Sequence, residues 1–108
     1  MLNRTSVVAA LLLVSLLPAG CTWVDLNAQA KEVTLIDAAA AGQCKLLGVA
    51  DSMSADHIGV LNRKKSKVAL ELLTLAKNSA ADMGGNAVSE VAPMAAGKQS
   101  FNVYLCPQ

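Results

Sequence analysis

The sequence has no marked excess of charge of one sign. Its 108 residues carry 9 lysine and arginine side chains against 8 aspartate and glutamate side chains, a formal net charge of +1. Proteins that bind nucleic acids through the phosphate backbone concentrate many more basic side chains. We therefore predict no nucleic-acid partner. At this length the chain can form at most one small domain.

Side chains that usually carry catalysis or bind metals are also scarce. The sequence has one histidine, His57, and three cysteines, none of them in a Cys-x-x-Cys pair. Catalytic triads, zinc sites and thiol redox centres draw on these residue types. We therefore predict that the protein is not an enzyme and uses no metal or cofactor. His57 is interpreted as an ordinary surface histidine.

No apolar run is long enough to span a bilayer. The longest covers residues 7–17 (VVAALLLVSLL) and follows a start whose one charged side chain is Arg4. A helix of this length measures about 16 Å, whereas a bilayer core is about 30 Å thick. Such a run behind a basic residue is typical of a signal peptide. We predict that residues 1–20 are a cleaved signal peptide.

A cysteine follows the apolar run directly. Residues 17–21 (LPAGC) resemble a bacterial lipobox, with Pro18 at the place where leucine is usual. In a lipobox, the cysteine is acylated and becomes the first residue of the mature protein. The resemblance implies that Cys21 is the lipid attachment site, and that membrane lipid holds the protein through an N-terminal acyl anchor. Several acyl chains hold a protein at a membrane lastingly, since each buried methylene contributes about 0.8 kcal/mol.

The residue after the cysteine bears on location. Thr22 stands there rather than aspartate, and in bacteria with two membranes this resembles lipoproteins sorted to the outer membrane, facing either the periplasm or the cell surface. Residues 21–31 are interpreted as the lipidated N-terminus and a tether, and residues 32–108 as the folded domain. An alternative stays open. Cleavage after the A-x-A match that ends at Ala30 would release a soluble periplasmic protein.

Four segments have strand character and one has helix character. The strand segments are rich in β-branched residues or alternate apolar with polar positions, and they cover residues 32–36, 44–51, 87–92 and 100–106. Residues 67–83 place apolar side chains at three- and four-residue intervals, which predicts a helix with one buried face. The predicted element order is β-β-α-β-β, and the predicted fold class is α+β.

The helix ends carry separate signals. Gly84 and Gly85 predict a C-cap turn, because glycine readily adopts the left-handed backbone found just past a helix, and Asn86 also favours such a turn. A phosphate-binding loop is disfavoured here because these residues follow a helix instead of preceding one. At the start of the helix, Asn62 and Ser66 are both able to form the N-cap.

The two remaining cysteines bear on topology. Cys44 opens the second predicted strand and Cys106 closes the fourth. Neighbouring antiparallel strands allow the Cα separation of a disulfide, and an oxidising compartment favours the bond. If the last two strands form a hairpin, the second and third are parallel with the fourth between them, a split β-α-β unit. We predict a four-stranded sheet of order 1-2-4-3 with the helix on one face, and open edges at strands one and three.

A basic cluster lies near the predicted start of the helix. Arg63, Lys64, Lys65 and Lys67 fall within five residues, where the helix dipole disfavours cations. One interpretation is contact with an anionic surface, such as lipid phosphates or wall polymers. The other is a solvated turn without a partner.

Three stretches together resemble a known group of bacterial lipoproteins. They are VTLID with the following CKLLG, AADMGGNAV at residues 80–88, and VYLCP at residues 103–107. In order and spacing they are similar to the YjeI-like domain-of-unknown-function lipoproteins, and more distantly to the Rcs stress-sensing outer-membrane lipoprotein. The resemblance implies a small α+β domain with a disulfide between Cys44 and Cys106, tethered to the outer membrane and without an established biochemical activity.

These observations lead to one functional expectation and one alternative. We expect a non-enzymatic envelope lipoprotein that acts as a small structural or interaction module at the outer membrane. The alternative is an envelope stress sensor or adaptor that binds a partner protein of the envelope through an exposed sheet edge.

Overall fold

A mixed sheet of four strands lies at the centre of the domain. The computed structural model describes residues 25–58 and 61–108, so the predicted signal peptide and Cys21 lie outside the described residues. The sheet contains β1 (Thr34–Leu35), β2 (Lys45–Met53), β5 (Ala87–Glu90) and β6 (Lys98–Leu105), and a separate hairpin is formed by β3 (His57–Ile58) and β4 (Leu61–Asn62). The order of strands across the sheet is β1-β5-β6-β2.

One α-helix, α1 (Lys65–Asp82), packs on one face of this sheet. Its buried side chains recur every fourth residue, as the apolar spacing of the sequence predicts, and are Val68, Leu72, Ala76 and Ala80. They share one core with three side chains of the sheet that are at most 1% exposed, Val88, Phe101 and Val103. The α+β class predicted from the sequence is confirmed.

Within the four-stranded sheet, the strands before and after α1 are β2 and β5, which are parallel to each other and not adjacent. β6 lies between β2 and β5 and is antiparallel to both. This is the split β-α-β arrangement expected from the two cysteines. Cys44 and Cys106 form a disulfide with their Cα atoms 4.1 Å apart, just beyond the first pair of the β2–β6 ladder, Lys45 with Leu105.

The position of β1 differs from the prediction. Instead of lying beside β2, it occupies the opposite edge and runs parallel to β5, so the order 1-2-4-3 is wrong. Thr34 and Ile36 donate their N–H groups to the carbonyls of Asn86 and Val88, at 3.1 and 2.8 Å. Residues 36–44 extend over about 25 Å when stretched, and three strand spacings amount to about 14 Å, so this connection easily crosses the sheet.

The change of order also changes the edges of the sheet. β1 and β2 are the outer strands, whereas β5, the third strand predicted from the sequence, is internal. β1 has 2 residues and β2 has 9. The long free edge of the described sheet therefore belongs to β2.

Several short elements have no counterpart among the predicted ones. They are the hairpin β3–β4 and two 3-10 turns, Gln29–Glu32 and Ala38–Ala41. The helix N-cap also differs from the expectation. It is Lys64, without a side-chain cap, while Asn62 lies in β4 and Ser66 lies inside the first helical turn. Neither predicted cap residue therefore performs that role.

The chain before β1 packs on α1. The Asn78 side chain accepts a hydrogen bond from Asn27 N–H and donates one to the Asp25 carbonyl, both at 2.9 Å. Ala30 and Val33 are buried, with 0% and 3% of their surface exposed. Residues 25–31, assigned to a tether from the sequence, therefore belong to the packed domain.

Candidate functional site

The four cations near the helix start do not act as one group. Arg63 forms a two-pronged ion pair with Glu71, in which Nη1 donates to Oε1 at 2.9 Å and Nη2 donates to Oε2 at 2.6 Å. The two side chains are only 10% and 15% exposed. Ser54 Oγ donates to the same carboxylate. We call Ser54, Arg63 and Glu71 the clasp.

The clasp ties the segment around the β3–β4 hairpin to the helix. Arg63 also donates from Nη1 to the Ala55 carbonyl at 3.0 Å and from its backbone N–H to the Asp56 carbonyl at 2.9 Å. Ser54 N–H donates to the Gly97 carbonyl at 2.8 Å, which links the clasp to the β5–β6 connection. Arg63 therefore joins parts of the fold to one another, a role that neither interpretation of the basic cluster includes.

The clasp stabilises the charged form of its carboxylate. The hydrogen bonds from Arg63, and after them the one from Ser54, hold the pKa of Glu71 below its ordinary value of 4.5. The positive charge of Lys67 acts in the same direction. Hydrogen bonds that favour the ionised form lower a carboxyl pKa in this way. The Glu71 hydrogen bond in turn raises the pKa of Arg63.

The three lysines of the predicted cluster remain at the surface. Lys64, Lys65 and Lys67 are all exposed, and no ion pair involves them among residues 25–58 and 61–108. Glu71, the carboxylate nearest to Lys67 along the helix, is already engaged by Arg63. The start of α1 therefore carries a positive surface that the described residues do not neutralise.

A shallow cleft opens beside this basic surface. Its volume is about 450 Å³, and the residues that line it come from the hairpin, the helix start and the β5–β6 connection: Asp56, Asn62, Arg63, Lys65, Val68, Met94, Ala95, Ala96 and Gly97. Every buried polar side-chain atom of the described residues already has a hydrogen-bond partner. The cleft therefore contains no buried polar atom waiting for a ligand.

Gly84 and Gly85 form the C-cap turn that the sequence predicts. The helix ends at Asp82 with Met83 as its C-cap, and Gly84 follows with φ of +81°. Gly85 and Gly84 donate their N–H groups to the carbonyls of Ala80 and Ala81 at 2.8 and 3.0 Å. This pair of bonds defines the Schellman motif. The turn satisfies carbonyls at the helix end and is a structural feature.

Asn86 has a role that its turn preference does not indicate. It does not adopt positive φ. Its side chain instead accepts a hydrogen bond from Cys106 N–H at 2.7 Å and donates one to the Cys106 carbonyl at 2.9 Å. The side-chain amide thus pairs with the backbone of a disulfide cysteine as a strand residue would. No local signal in the sequence indicates this contact across 20 positions.

His57 is exposed, and its Nδ1 lies 2.8 Å from a carboxylate oxygen of its neighbour Asp56. In the part of the chain that the structure describes, no three His, Cys, Asp or Glu side chains are grouped so that they could hold a metal ion. The helices of that same part include none with the length and hydropathy needed to cross a bilayer.

Apolar side chains are exposed along the free edge strand. Leu46, Val49 and Met53 of β2 have 57%, 49% and 67% of their surface accessible. The register of β2 against β6 shifts between Leu46 and Gly48, which marks a bulge. Bulges are one way in which edge strands resist unwanted pairing.

Comparisons with known proteins give one match. A family model described as a domain of unknown function, DUF4156, matches residues 24–106. No curated protein and no solved structure is significantly similar to the chain. The matched range begins next to the first described residue, Asp25, and ends at Cys106 of the disulfide.

Proposed function

The chain belongs to the DUF4156 family, and we propose that it is a non-enzymatic lipoprotein of the bacterial outer membrane, anchored through acyl groups on Cys21. The folded domain acts as a small structural or interaction module. The family description carries no molecular role, so the proposal is argued from the residues of this chain. The proposal includes a relationship of the chain to the YjeI-like lipoproteins and, more distantly, to the Rcs sensor. This relationship rests on the stretches quoted from the sequence.

The pairing of the cysteines supports the anchor. Cys44 and Cys106 are bonded to each other, so the third cysteine of the chain, Cys21, has no other cysteine of the chain left to pair with. A disulfide is typical of proteins exported from the cytoplasm. In such a compartment an unpaired cysteine behind an apolar leader is well explained as an acylation site.

Contacts at the start of the packed domain favour one of the two possible processing sites. Cleavage after Ala30 would remove a fully buried residue, together with Asp25 and Asn27, which bind Asn78. Cleavage before Cys21 keeps all of these contacts. The burial of Ala30 is thus the single observation that most favours a mature chain beginning at Cys21.

Mass spectrometry of the protein purified from bacterial membranes tests this proposal. We expect a mature chain that begins at Cys21, carries acyl groups on that residue and lacks two hydrogens because Cys44 and Cys106 are oxidised. Cys21→Ala should abolish the acylated mature form. The matched control Cys44→Ser with Cys106→Ser should lose the disulfide and keep the acyl groups. A mature chain beginning at Lys31 would refute the proposal.

The internal bonding of the clasp supports a structural role for its polar side chains. Within the described residues, the strongest polar constellation is the clasp, and all of its members are engaged with one another. A general acid, base or nucleophile has to reach a substrate. The clasp instead joins two parts of the fold.

The alternative of an adaptor is favoured by one observation, the free edge of β2. An extended partner segment could add a strand there and place apolar side chains beside Leu46, Val49 and Met53. Val49→Lys would oppose such pairing while leaving the buried face of β2 intact. If a stoichiometric envelope partner recovered from solubilised membranes is lost with Val49→Lys and kept with the control Leu61→Lys, the adaptor role is supported. Equal recovery with both variants would exclude this edge.

A further inference from the structure

We infer that the surface of α1 that points away from the sheet lies on the anionic headgroups of the bilayer that holds the anchor. This inference rests on the proposed acylation of Cys21. The surface, called here the outer face of α1, consists of Lys67, Leu70, Thr74 and Lys77, which follow one another at three- and four-residue spacing and therefore share one side of the helix. It faces away from the buried residues of α1.

The composition of the outer face fits a headgroup layer. Leu70 is 65% exposed, although it occupies the middle of the face on which a helix normally presents polar groups. Lysines lie on both sides of it along the helix, Lys67 before and Lys77 after. Helices that bind a membrane interface combine exposed apolar side chains with lysines, and the outer face contains both kinds of group in Leu70 and its two flanking lysines.

The charge around this face is positive. Lys64 and Lys65 extend it at the helix start, whereas Glu71 is engaged with Arg63 in the clasp. The acidic side chains near the other end are Asp25 and Asp82, both exposed. Four lysines against these two carboxylates leave a surface complementary to anionic lipid.

The path of the chain brings the anchor to this side of the domain. Asn78 follows Lys77 directly and holds the Asp25 carbonyl through its side-chain amide at 2.9 Å. Cys21 precedes Asp25 by four residues, which span at most about 14 Å when fully extended. An acylated Cys21 therefore keeps the bilayer within about 14 Å of the Asp25 backbone, which is itself hydrogen-bonded to α1 through Asn78.

The helix-free face of the sheet provides a matched control position. Val49 pairs with Asn102, while its neighbour Ala50 pairs with the buried Phe101, so Val49 points away from α1. Val49 is 49% exposed and Leu70 is 65% exposed. A tryptophan placed at either site is thus an exposed reporter, one on each side of the molecule.

The experiment uses the acylated full-length mature protein in vesicles of phosphatidylcholine and phosphatidylglycerol with brominated acyl chains. The native tryptophan is removed by Trp23→Phe, and a single reporter is introduced by Leu70→Trp or Val49→Trp. We expect the reporter at position 70 to be quenched several-fold more than the one at position 49. Lys67→Gln combined with Lys77→Gln should lower the equilibrium constant for docking about 25-fold, since each lysine near an anionic surface strengthens binding about fivefold.

The outcomes separate the two proposals. Acylation of Cys21 is checked by mass on the same sample, and an unacylated Cys21 refutes the proposed function. Acylated protein with equal quenching at positions 70 and 49 refutes the docking face alone. Equal quenching of position 70 in purely phosphatidylcholine vesicles refutes the charge-based recognition. Absence of quenching, together with crosslinking of a photoreactive residue at position 70 to one envelope protein in cells, would assign the face to a protein partner instead.

Discussion

At the scale of single residues, Gly85 leaves no space for a side chain. A Cβ atom at this position would lie 2.7 Å from Val103 Cγ1 and 2.9 Å from the Tyr104 carbonyl oxygen. Both neighbours belong to β6. The turn after α1 therefore contacts the sheet through its backbone, with no side chain in between. The close approach, rather than the backbone conformation, is what requires glycine.

Gly85→Ala should therefore lower the free energy of unfolding by about 1–3 kcal/mol, the usual cost of overpacking. Chemical denaturation followed by circular dichroism measures the change. Gly42→Ala is the matched control, since no atom beyond its two chain neighbours lies within 4 Å of its Cβ position, and it should cause no loss of stability. Equal stability of the two variants would contradict the close contact.

The clasp should make the free energy of unfolding depend on pH. Because the pKa of Glu71 is lower in the folded protein than its ordinary value of 4.5, the unfolded chain binds the proton more readily. The stabilisation is therefore complete above about pH 4.5 and is lost as pH falls through the folded pKa. The difference in unfolding free energy between the wild type and Glu71→Gln should shrink as the pH falls below 4.5.

Denaturant titrations at pH 7 and pH 3 measure this difference. Asp56→Asn is the matched control, because it removes an exposed carboxylate that contacts only its neighbour His57 in the described chain. Comparison with this variant separates the loss of the clasp from the loss of one negative charge near the hairpin. A Glu71→Gln difference that is unchanged between the two pH values would mean that the clasp does not stabilise the ionised carboxylate.

The sequence indicates some of these residue roles and not others. Gly84 is predictable because only the local backbone at a helix end decides its place. The Arg63–Glu71 pair is not, since the two residues are eight positions apart and Arg63 lies before the helix. Its formation depends on how the chain turns after β4, and single-sequence patterns contain no information about that turn.

At the scale of elements, the disulfide is the main constraint on the sheet. It joins residues 62 positions apart at the end of the β2–β6 ladder. In the chain-entropy model, closing a loop of this size stabilises the fold by about 4 kcal/mol. That is a large part of the roughly 5–15 kcal/mol typical of a native domain.

Cys44→Ser combined with Cys106→Ser should thus lower the unfolding free energy by up to about 4 kcal/mol. Thermal and chemical unfolding of the double variant and of the wild type, with and without reductant, measure it. Reductant should destabilise the wild type and leave the double variant unchanged. A wild type that is equally stable in reductant would show that the bond does not constrain the chain.

The elements themselves were predictable to the extent that their signals are local. Helix periodicity places α1, and the two cysteines place β2 next to β6. The position of β1 depends instead on contacts of Val33 and Ala30 with distant parts of the chain, both of them buried. A short strand that can reach either edge carries no sign of its neighbour in its own residues.

At the scale of the whole molecule, residues 25–33 before β1 pack against the rest of the domain. Asn78→Ala removes two hydrogen bonds to the backbone of residues 25–27. The Asn27 amide should then exchange its hydrogen about fivefold faster or more, as expected when about 1 kcal/mol of hydrogen bonding is lost. Amides of the central strand β6 should keep their protection.

Hydrogen exchange followed by nuclear magnetic resonance resolves these amides individually. Lys77→Ala is the matched control, because it changes the neighbouring residue without touching the two hydrogen bonds. Similar exchange of Asn27 in wild type and Asn78→Ala would mean that the segment is held by Ala30 and Val33 without help from Asn78. A cleavage product beginning at Lys31 lacks both hydrogen bonds and the buried Ala30, and it should have a lower free energy of unfolding.

The distance along the chain between this stretch and its binding sites has a consequence for biogenesis. Asp25 and Asn27 meet Asn78 across 53 and 51 positions, and Thr34 pairs with Ala87 in β5. In the proposed export from the N-terminus, Asp25 and Asn27 emerge well before Asn78, and Thr34 emerges well before Ala87. If Cys21 is acylated as proposed, the modification therefore precedes the contacts of Asp25 and Asn27 with Asn78, because these contacts form only after residue 78 has emerged.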